Sequence, residues 1–338
     1  MNRKILIIKL LFLSSFFCSA QDDINDLLAA GVQDAERFAS DYFLPATEGL
    51  AYGMNNGWFN NAKASKRFGF ELSIIGNVSL INDDKKSFEM RASDYQNIRF
   101  PDNSASKTVA TALGENNPDI TVIVTYDDPI FGDQEIELTL PTGIGSGNIN
   151  VIPTAFLQAS FSPFKGTQLK GRYFPKVDTE DTKVGLYGLG IQQEFTSWLP
   201  ADKIWPVAIS GLIAYTHLDG SYDFTDAQVV EGENQRVETN VNTMLYQLIV
   251  GTRLKIINFY GGLGYISGKS KTDLLGTYVV NNNVLFASAI VDPFSIEEDI
   301  SGTRATLGTH LKLGFFGLNA DYTFAEFDSA SLALNFSF

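Results

Sequence analysis

The ordinary neutral-pH bases of this chain number two, His217 and His310. His217 stands in YTHLDGSY, with Asp219 and Ser221 close by in sequence. A serine, a histidine and an acid are the parts of a hydrolase triad. No hydrolase motif surrounds them, and Asp219 and Ser221 read as turn residues. His217 is therefore expected as an interfacial side chain, and the chain is not expected to be an enzyme. The richer chemistry lies in charges that share one alternating face: Lys170, Arg172, Arg253, Lys255, Arg304 and Lys312 on one side of the ledger, Glu71, Glu194 and Asp321 on the other. Two readings stay open for them. They form a salt-bridge lattice that fills a narrow lumen, with His310 in its polar network. Alternatively they line a path or pocket for an anionic or amphiphilic solute. Lys255 and Lys312 also have stems long enough to reach a membrane rim.

Other clusters carry less. Asp127-Asp128, Asp178-Glu180-Asp181 and Glu297-Glu298-Asp299 lack calcium-loop spacing. They read as solvated acids, whose fitting metal role is divalent bridging to neighbouring lipopolysaccharide. No resident metal and no cofactor is expected. Gly188-Leu189-Gly190 and Gly262-Leu263-Gly264 have no helix after them, so a phosphate loop does not fit. Inside strands they would make room in a packed lumen or allow curvature.

The elements that position these residues follow from periodicity. From Phe68 onward the period is two: Phe68, Phe70, Leu72, Ile74, Val78 and Leu80 alternate with Glu71, Ser73, Asn77 and Ser79. The pattern returns at 155–161, 168–173, 184–196, 206–218, 237–256, 259–268, 301–313, 317–325 and 331–338. Runs of this length cross a membrane at a tilt. Connections alternate short and long, which puts the turns at 163–166, 196–205, 257–258 and 315–316 in the periplasm. The acidic stretches 175–182, 226–235 and 269–300 then lie outside, together with the short 325–329. Nine strands from 151 to 338 plus 67–81 make ten, an even count with both ends in the periplasm. The expected fold is all-β: a transmembrane antiparallel up-and-down β-barrel of 10 to 14 strands, spanning 66–338. The upper bound reflects 82–150, where ITVIVTY and QEIELTL form either extra wall strands or an extracellular insertion. Tyr173, Tyr187, Tyr215, Tyr265, Tyr322, Trp198 and Trp205 sit near strand ends, as girdle aromatics do.

Residues 22–43 carry a helical stripe that includes Leu27, Leu28, Ala35, Phe38, Ala39 and Tyr42, with Asp22, Asp23 and Asp26 at its start and Pro45 at its end. This helix is placed in the periplasm. The Gly/Asn stretch 49–63 follows, and Asn55, Asn56, Gly57, Trp58 and Phe59 are candidates to plug the lumen, against the plainer reading of a periplasmic cap. Together they make a segment of 21–65.

Residues 1–20 read as a cleaved signal peptide: Arg3, Lys4 and Lys9, an apolar run to Phe17, then Ser19-Ala20. Cleavage after Ala20 removes Cys18, the sole cysteine, and with it any thiol chemistry. It leaves 22 basic against 39 acidic side chains, a net −17. Nucleic acid is a poor partner for that charge. The expected location is the bacterial outer membrane, with lipid and lipopolysaccharide as surroundings.

LPTGIGSGNINVIPTAFLQASFSPFKGTQLKGRYFPKV, then LYGLGIQQEFTSWLPADKIWPVAISGLIAYTHLDG, and earlier LPATEGLAYGMNNGWFNNAKASKRFGFELSIIGNVSL, resemble an uncharacterised outer-membrane barrel family common in Bacteroidota, a domain of unknown function. The resemblance covers most of the chain beyond residue 20 and implies a barrel but no chemistry. A helix and Gly/Asn plug before the first strand is distantly similar to outer-membrane fatty-acid transporters, an analogy that carries over no ligand residues; the plug and the polar lumen lead us to expect passive transport of a small hydrophobic or amphiphilic solute. A structural or interaction barrel with acidic outer loops is the alternative. The terminal NFSF, with Phe336 and Phe338, resembles the signal read by the barrel-assembly machinery.

Overall fold

The computed structural model describes residues 27–128, 131–179, 181–199, 206–224, 232–283 and 286–338. The signal peptide and its cleavage site, Asp22, Asp23, Asp26, Glu180 and Trp205 lie outside the described residues.

Ten strands close into one antiparallel ring: β1 (Phe70–Leu80), β7 (Val151–Phe164), β8 (Thr167–Asp178), β9 (Thr182–Glu194), β10 (Val207–Asp223), β11 (Gly232–Thr252), β12 (Ile257–Asn283), β14 (Phe294–Leu313), β15 (Phe316–Phe324) and β16 (Ser329–Ser337). β1 closes the ring, with Ile74 opposite Leu334 of β16 on one side and Leu157 of β7 on the other. An eleventh strand, β13 (Phe286–Val291), pairs only with the far end of β12. Closure joins the first strand to the last and leaves an edge only where β7 and β8 part beyond Leu157 and Tyr173, which comes close to the condition for a sheet in lipid.

Every wall strand turns a large apolar residue outward: Leu72, Leu157, Leu169, Leu189, Ile213, Leu248, Leu263, Leu307, Leu318 and Leu332 are all exposed. A continuous exposed apolar belt of this kind is foreign to a water-soluble surface and suits lipid. Tyr173, Tyr187, Tyr246 and Tyr265 are exposed on the same outward face.

Residues 82–150 add no strand to the wall. β2 (Ser87–Arg91) pairs with β4 (Ser106–Ala110), and β3 (Ile98–Arg99), β5 (Thr121–Asp128) and β6 (Gly132–Thr139) make a second small sheet. Both follow Leu80, at the barrel end opposite the short turns at 165–166 and 314–315. The acidic stretch 269–300 is not a loop. β12 and β14 run on past the apolar belt, with Lys269 opposite Asp299 and Lys271 opposite Glu297. Opposite charges on facing strands hold the extension together.

Among the described residues the one long helix, α1, is Val32–Gly53, preceded by a helical turn at 27–29. Two expectations are corrected here. Pro45 lies inside the helix rather than at its end. Thr47 Oγ1 donates to the Leu44 carbonyl at 2.9 Å beside the proline, and Ala46, Leu50 and Ala51 are buried beyond it. Packing in the barrel mouth thus outweighs the lost donor. The helix also enters from the long-loop end, not from the short-turn end, which is expected to face the periplasm. Asp34 accepts from the Gln96 and Asn97 backbone, Tyr42 donates to the Thr142 carbonyl, and Ser40 donates to Glu298 of β14 at 2.6 Å. An amphipathic stripe states that a helix packs, not at which mouth.

Candidate functional site

From Gly53 the chain runs down the lumen as an irregular segment of turns and bends. It reaches the short-turn end at Ser65 and turns up into β1. Near its middle, Trp58 is wholly buried, Asn55 and Asn56 nearly so, and Phe59 is buried. Gly57 has a φ of +68° and no room for a side chain, since a Cβ would lie 2.7 Å from Ile75 Cγ2.

The wall is carved for the two aromatics. A Cβ on Gly188 or Gly190 would come within 2.9 or 3.1 Å of the Trp58 ring. A Cβ on Gly262 would lie 3.0 Å from Phe59 Cζ, and Tyr260 meets that ring edge-on at 5.5 Å. Both GxG pairs therefore work as seats.

The inward cations hold this segment by its backbone. Arg172 Nη1 donates to the Met54 carbonyl at 2.7 Å and Nη2 to Gln158 Oε1 at 3.1 Å. Its guanidinium stacks on Trp58 at 4.1 Å and Phe156 at 4.5 Å. Arg304 donates to the Asn55 carbonyl at 3.2 Å and to Asn56 Oδ1. Arg253 pairs with Glu194, whose other oxygen accepts from the Ala64 N–H at 2.9 Å. Of the anticipated lattice, this ion pair is present. Glu71 instead accepts from Asn60 at 2.6 Å and Ser337 at 2.8 Å, and Asp321 from Tyr260 at 3.0 Å. His310 Nδ1 lies 2.7 Å from Asn319 Oδ1, and Asn319 donates to the Asn60 carbonyl at 2.9 Å. Lys170 is buried in the wall. Lys312 is a correction: it is exposed at the short-turn rim, with Lys255, and lines no lumen.

Arginines bonded to carbonyls at 2.7 and 3.2 Å do not line an open anion path. Pattern could not reveal this, because the partners are backbone oxygens of an irregular segment. Asn60, Asn61 and Ala62 were missed for the same reason. Asn61 and Ala62 offer carbonyls to Gln192 and Ser210.

His217 Nδ1 sits 2.8 Å from Asn242 Oδ1, its ring stacks on Tyr187 at 4.9 Å, and Asp219 pairs with Lys176. Glu298 and Asp299 contact Ser40 and Lys269, and no cluster of three metal-ligating side chains occurs among the described residues. The side chains of Asp127 and Asp128 lie outside the described set.

Above Trp58 the lumen changes character. Its inner face carries Phe156, Leu186, Leu218 and Val241 among hydroxyl side chains such as Thr154 and Thr239, which departs from a uniformly polar lumen. Between this wall and α1 lies an almost wholly apolar cavity of about 120 Å³, lined by Phe43, Ala46, Leu50, Phe156, Phe174, Leu186 and Leu218 among others. A smaller apolar cavity of about 60 Å³ adjoins it towards the mouth and shares Phe43 and Val237. Alternation gave no sign of either, because single inward apolar residues of different strands, Phe156, Leu186, Leu218 and Val241, come together only in the folded ring. The mouth is tied by Lys85, whose ammonium bridges Glu48 at 2.9 Å and Glu326 at 2.6 Å. Burial lowers its pKa, but the bonds and charges of the two glutamates outweigh that and leave it raised above 10.5.

Over residues 1–338 the sequence matches a family of unknown function, DUF6588. The chain belongs to that family. No curated protein matches it. Among solved structures, this family member is similar to Ail, the attachment invasion locus protein of Yersinia pestis, at 10% identity over 81% of this chain and 100% of that one, with a TM-score of 0.28. It is similar to the translocator domain of autotransporter NalP from Neisseria meningitidis, at 10% identity over 87% and 93%, TM-score 0.28. The transport unit of autotransporter AIDA-I from Escherichia coli gives 8% identity over 86% and 97%, TM-score 0.31. All three differ too far from this chain to speak for its activity.

Proposed function

We propose that this protein is an outer-membrane barrel, closed along its axis by its own N-terminal segment, that takes up the hydrocarbon part of a small hydrophobic or amphiphilic solute. The observation that carries this reading is the apolar cavity between α1 and strands β7–β11, directly above a polar constriction held by Arg172 and Arg304. A dry apolar cavity of this order of size holds a small hydrocarbon rather than water. Hydrated solutes meet the clamped segment instead. The long-loop end faces outward and the short turns face the periplasm, in keeping with short periplasmic turns in bacterial barrels. Phe338 exchanges backbone hydrogen bonds with Phe70 at the seam of first and last strands, which suits a terminal signal for the assembly machinery.

The test is transport itself. Proteoliposomes bearing the full chain should accumulate a labelled medium-chain fatty acid faster than empty liposomes and show little ion conductance. Removing 27–63 should turn the barrel into an open conductor. A folded deletant that conducts no more than the parent would refute axial closure. The 82–150 cap favours a second reading, an interaction barrel. That reading gains if no solute is taken up and removal of the cap abolishes a protein complex.

A further inference from the structure

One stretch of the wall is not zipped. β7 keeps its pairing with β1 up to Leu80↔Val151. On its other edge, pairing with β8 ends at Leu157↔Tyr173. Beyond that point β8 stays with β9, through Phe174↔Leu186 and, after a bulge, Val177↔Val184. Among the described residues no ladder pair joins 151–156 to 174–178.

The sequence explains the gap. Ile81 N–H donates to the Asn150 carbonyl, so even-numbered residues of β7 turn their backbone groups to β1 and odd ones to β8. Pro153 is odd. Glu194 N–H donates to Gly166, so even residues of β8 up to Phe174 address β9, and Pro175, the first residue of the bulge between Phe174 and Val177, follows on the side of β7. A proline's absent N–H thus falls on both sides of the same seam. Within sheets prolines are confined to edges for this reason. Here they write two edges into a ring that is otherwise closed.

What lies behind the seam is the cavity. Pro153, Ala155, Phe156 and Phe174, the residues that border the opening, also line it. Directly below, on the outward face, are exposed Leu157 and Tyr173, so the opening sits at the outer rim of the apolar belt. Downward passage is blocked by Arg172, Met54 and Asn55, and the top is covered by α1 and the 82–150 sheets. A seam without ladder pairs at this height meets the hydrated headgroup region rather than hydrocarbon, where it is tolerated.

We propose that the unzipped seam between β7 and β8 is the sideways route by which a single hydrocarbon chain of an amphiphile moves between the membrane's outer leaflet and the cavity. This rests on the cavity reading above and adds the path. Together the two adjoining cavities, of about 120 and 60 Å³, suit one alkyl chain and not a multi-chain lipid.

The experiment uses the full chain in phosphatidylethanolamine/phosphatidylglycerol liposomes with a diazirine-bearing octanoic acid, photolysed and mapped by mass spectrometry. Label is expected on the cavity residues of α1, β9 and β10. In an A155C/P175C variant, closing the pair as a disulfide or with a one-carbon thiosulfonate linker should abolish cavity labelling, and dithiothreitol should restore it. Ala155→Trp should give the same loss without thiol chemistry. Ala46→Phe, which fills the cavity, should abolish labelling in either redox state, while heat-modifiable gel mobility reports that each barrel is folded. Cavity labelling that persists through both the closed pair and Ala155→Trp overturns the seam and leaves the cavity reading standing. No cavity label in the parent overturns both.

Discussion

Trp58→Ala tests whether the lumen segment is a separable closure. Trp58 is wholly buried, packed on Gly188 and Gly190 and stacked under Arg172. Truncating a buried tryptophan costs about 3–5 kcal/mol. None of the ladder bonds that close the wall passes through residue 58. The cost therefore falls on the seated state relative to an unseated one, and the barrel stays closed. At about 1.4 kcal/mol per tenfold, the fraction of time spent open should rise by about two to four orders of magnitude. The assay is single-channel recording in planar bilayers, with heat-modifiable gel mobility showing that the wall is intact. A folded W58A barrel whose open occupancy stays within about tenfold of the parent would refute the reasoning.

Three further outcomes follow from the same geometry. Gly188→Val puts a Cβ where the Trp58 ring lies, so overpacking of about 1–3 kcal/mol should displace the indole and red-shift tryptophan emission; an unshifted spectrum counts against the seat. Arg253→Gln leaves Glu194 buried with only the Ala64 N–H and Thr196 for partners. The thermal midpoint on a gel-shift assay should fall by the equivalent of about 3 kcal/mol, the low end for a broken buried pair, and an unchanged midpoint would mean the pair contributes nothing. Lys85 has a raised pKa, so its contribution is present below 10.5 and is lost as pH climbs through the higher folded value. Protease susceptibility of the 82–150 cap should increase above that pH in the parent, and Lys85→Ala should erase the dependence.

Much of this fold is legible in the residues because lipid imposes a strict period of two. Leu72, Ile74 and Val78 of β1 and their counterparts around the ring face outward as alternation requires, and the ten-strand ring is the lower bound of the anticipated range. Where that constraint ends, so does legibility. Lys269, Lys271, Glu297 and Asp299 looked like a loop because a sheet above the membrane has polar residues on both faces. Pro45 looked like a helix end because the packing of Ala46 and Leu50 against the mouth is tertiary. The inward arginines were visible as a group, but their roles depend on the carbonyls of Met54 and Asn55, which side-chain pattern does not encode. Pro153 was readable as an edge signal within a strand. Its meaning needed the partner proline across the seam.

The wall itself can be questioned most directly by spin labels placed one at a time along 70–80, in a chain without Cys18 and reconstituted in liposomes. Labels at 70, 72 and 74 should collide freely with dissolved oxygen and hardly at all with a water-soluble nickel chelate, while those at 71, 73, 75, 77 and 79 are shielded from oxygen. A flat profile, or nickel access at 70, 72 and 74, would contradict a barrel that meets lipid on its outer face.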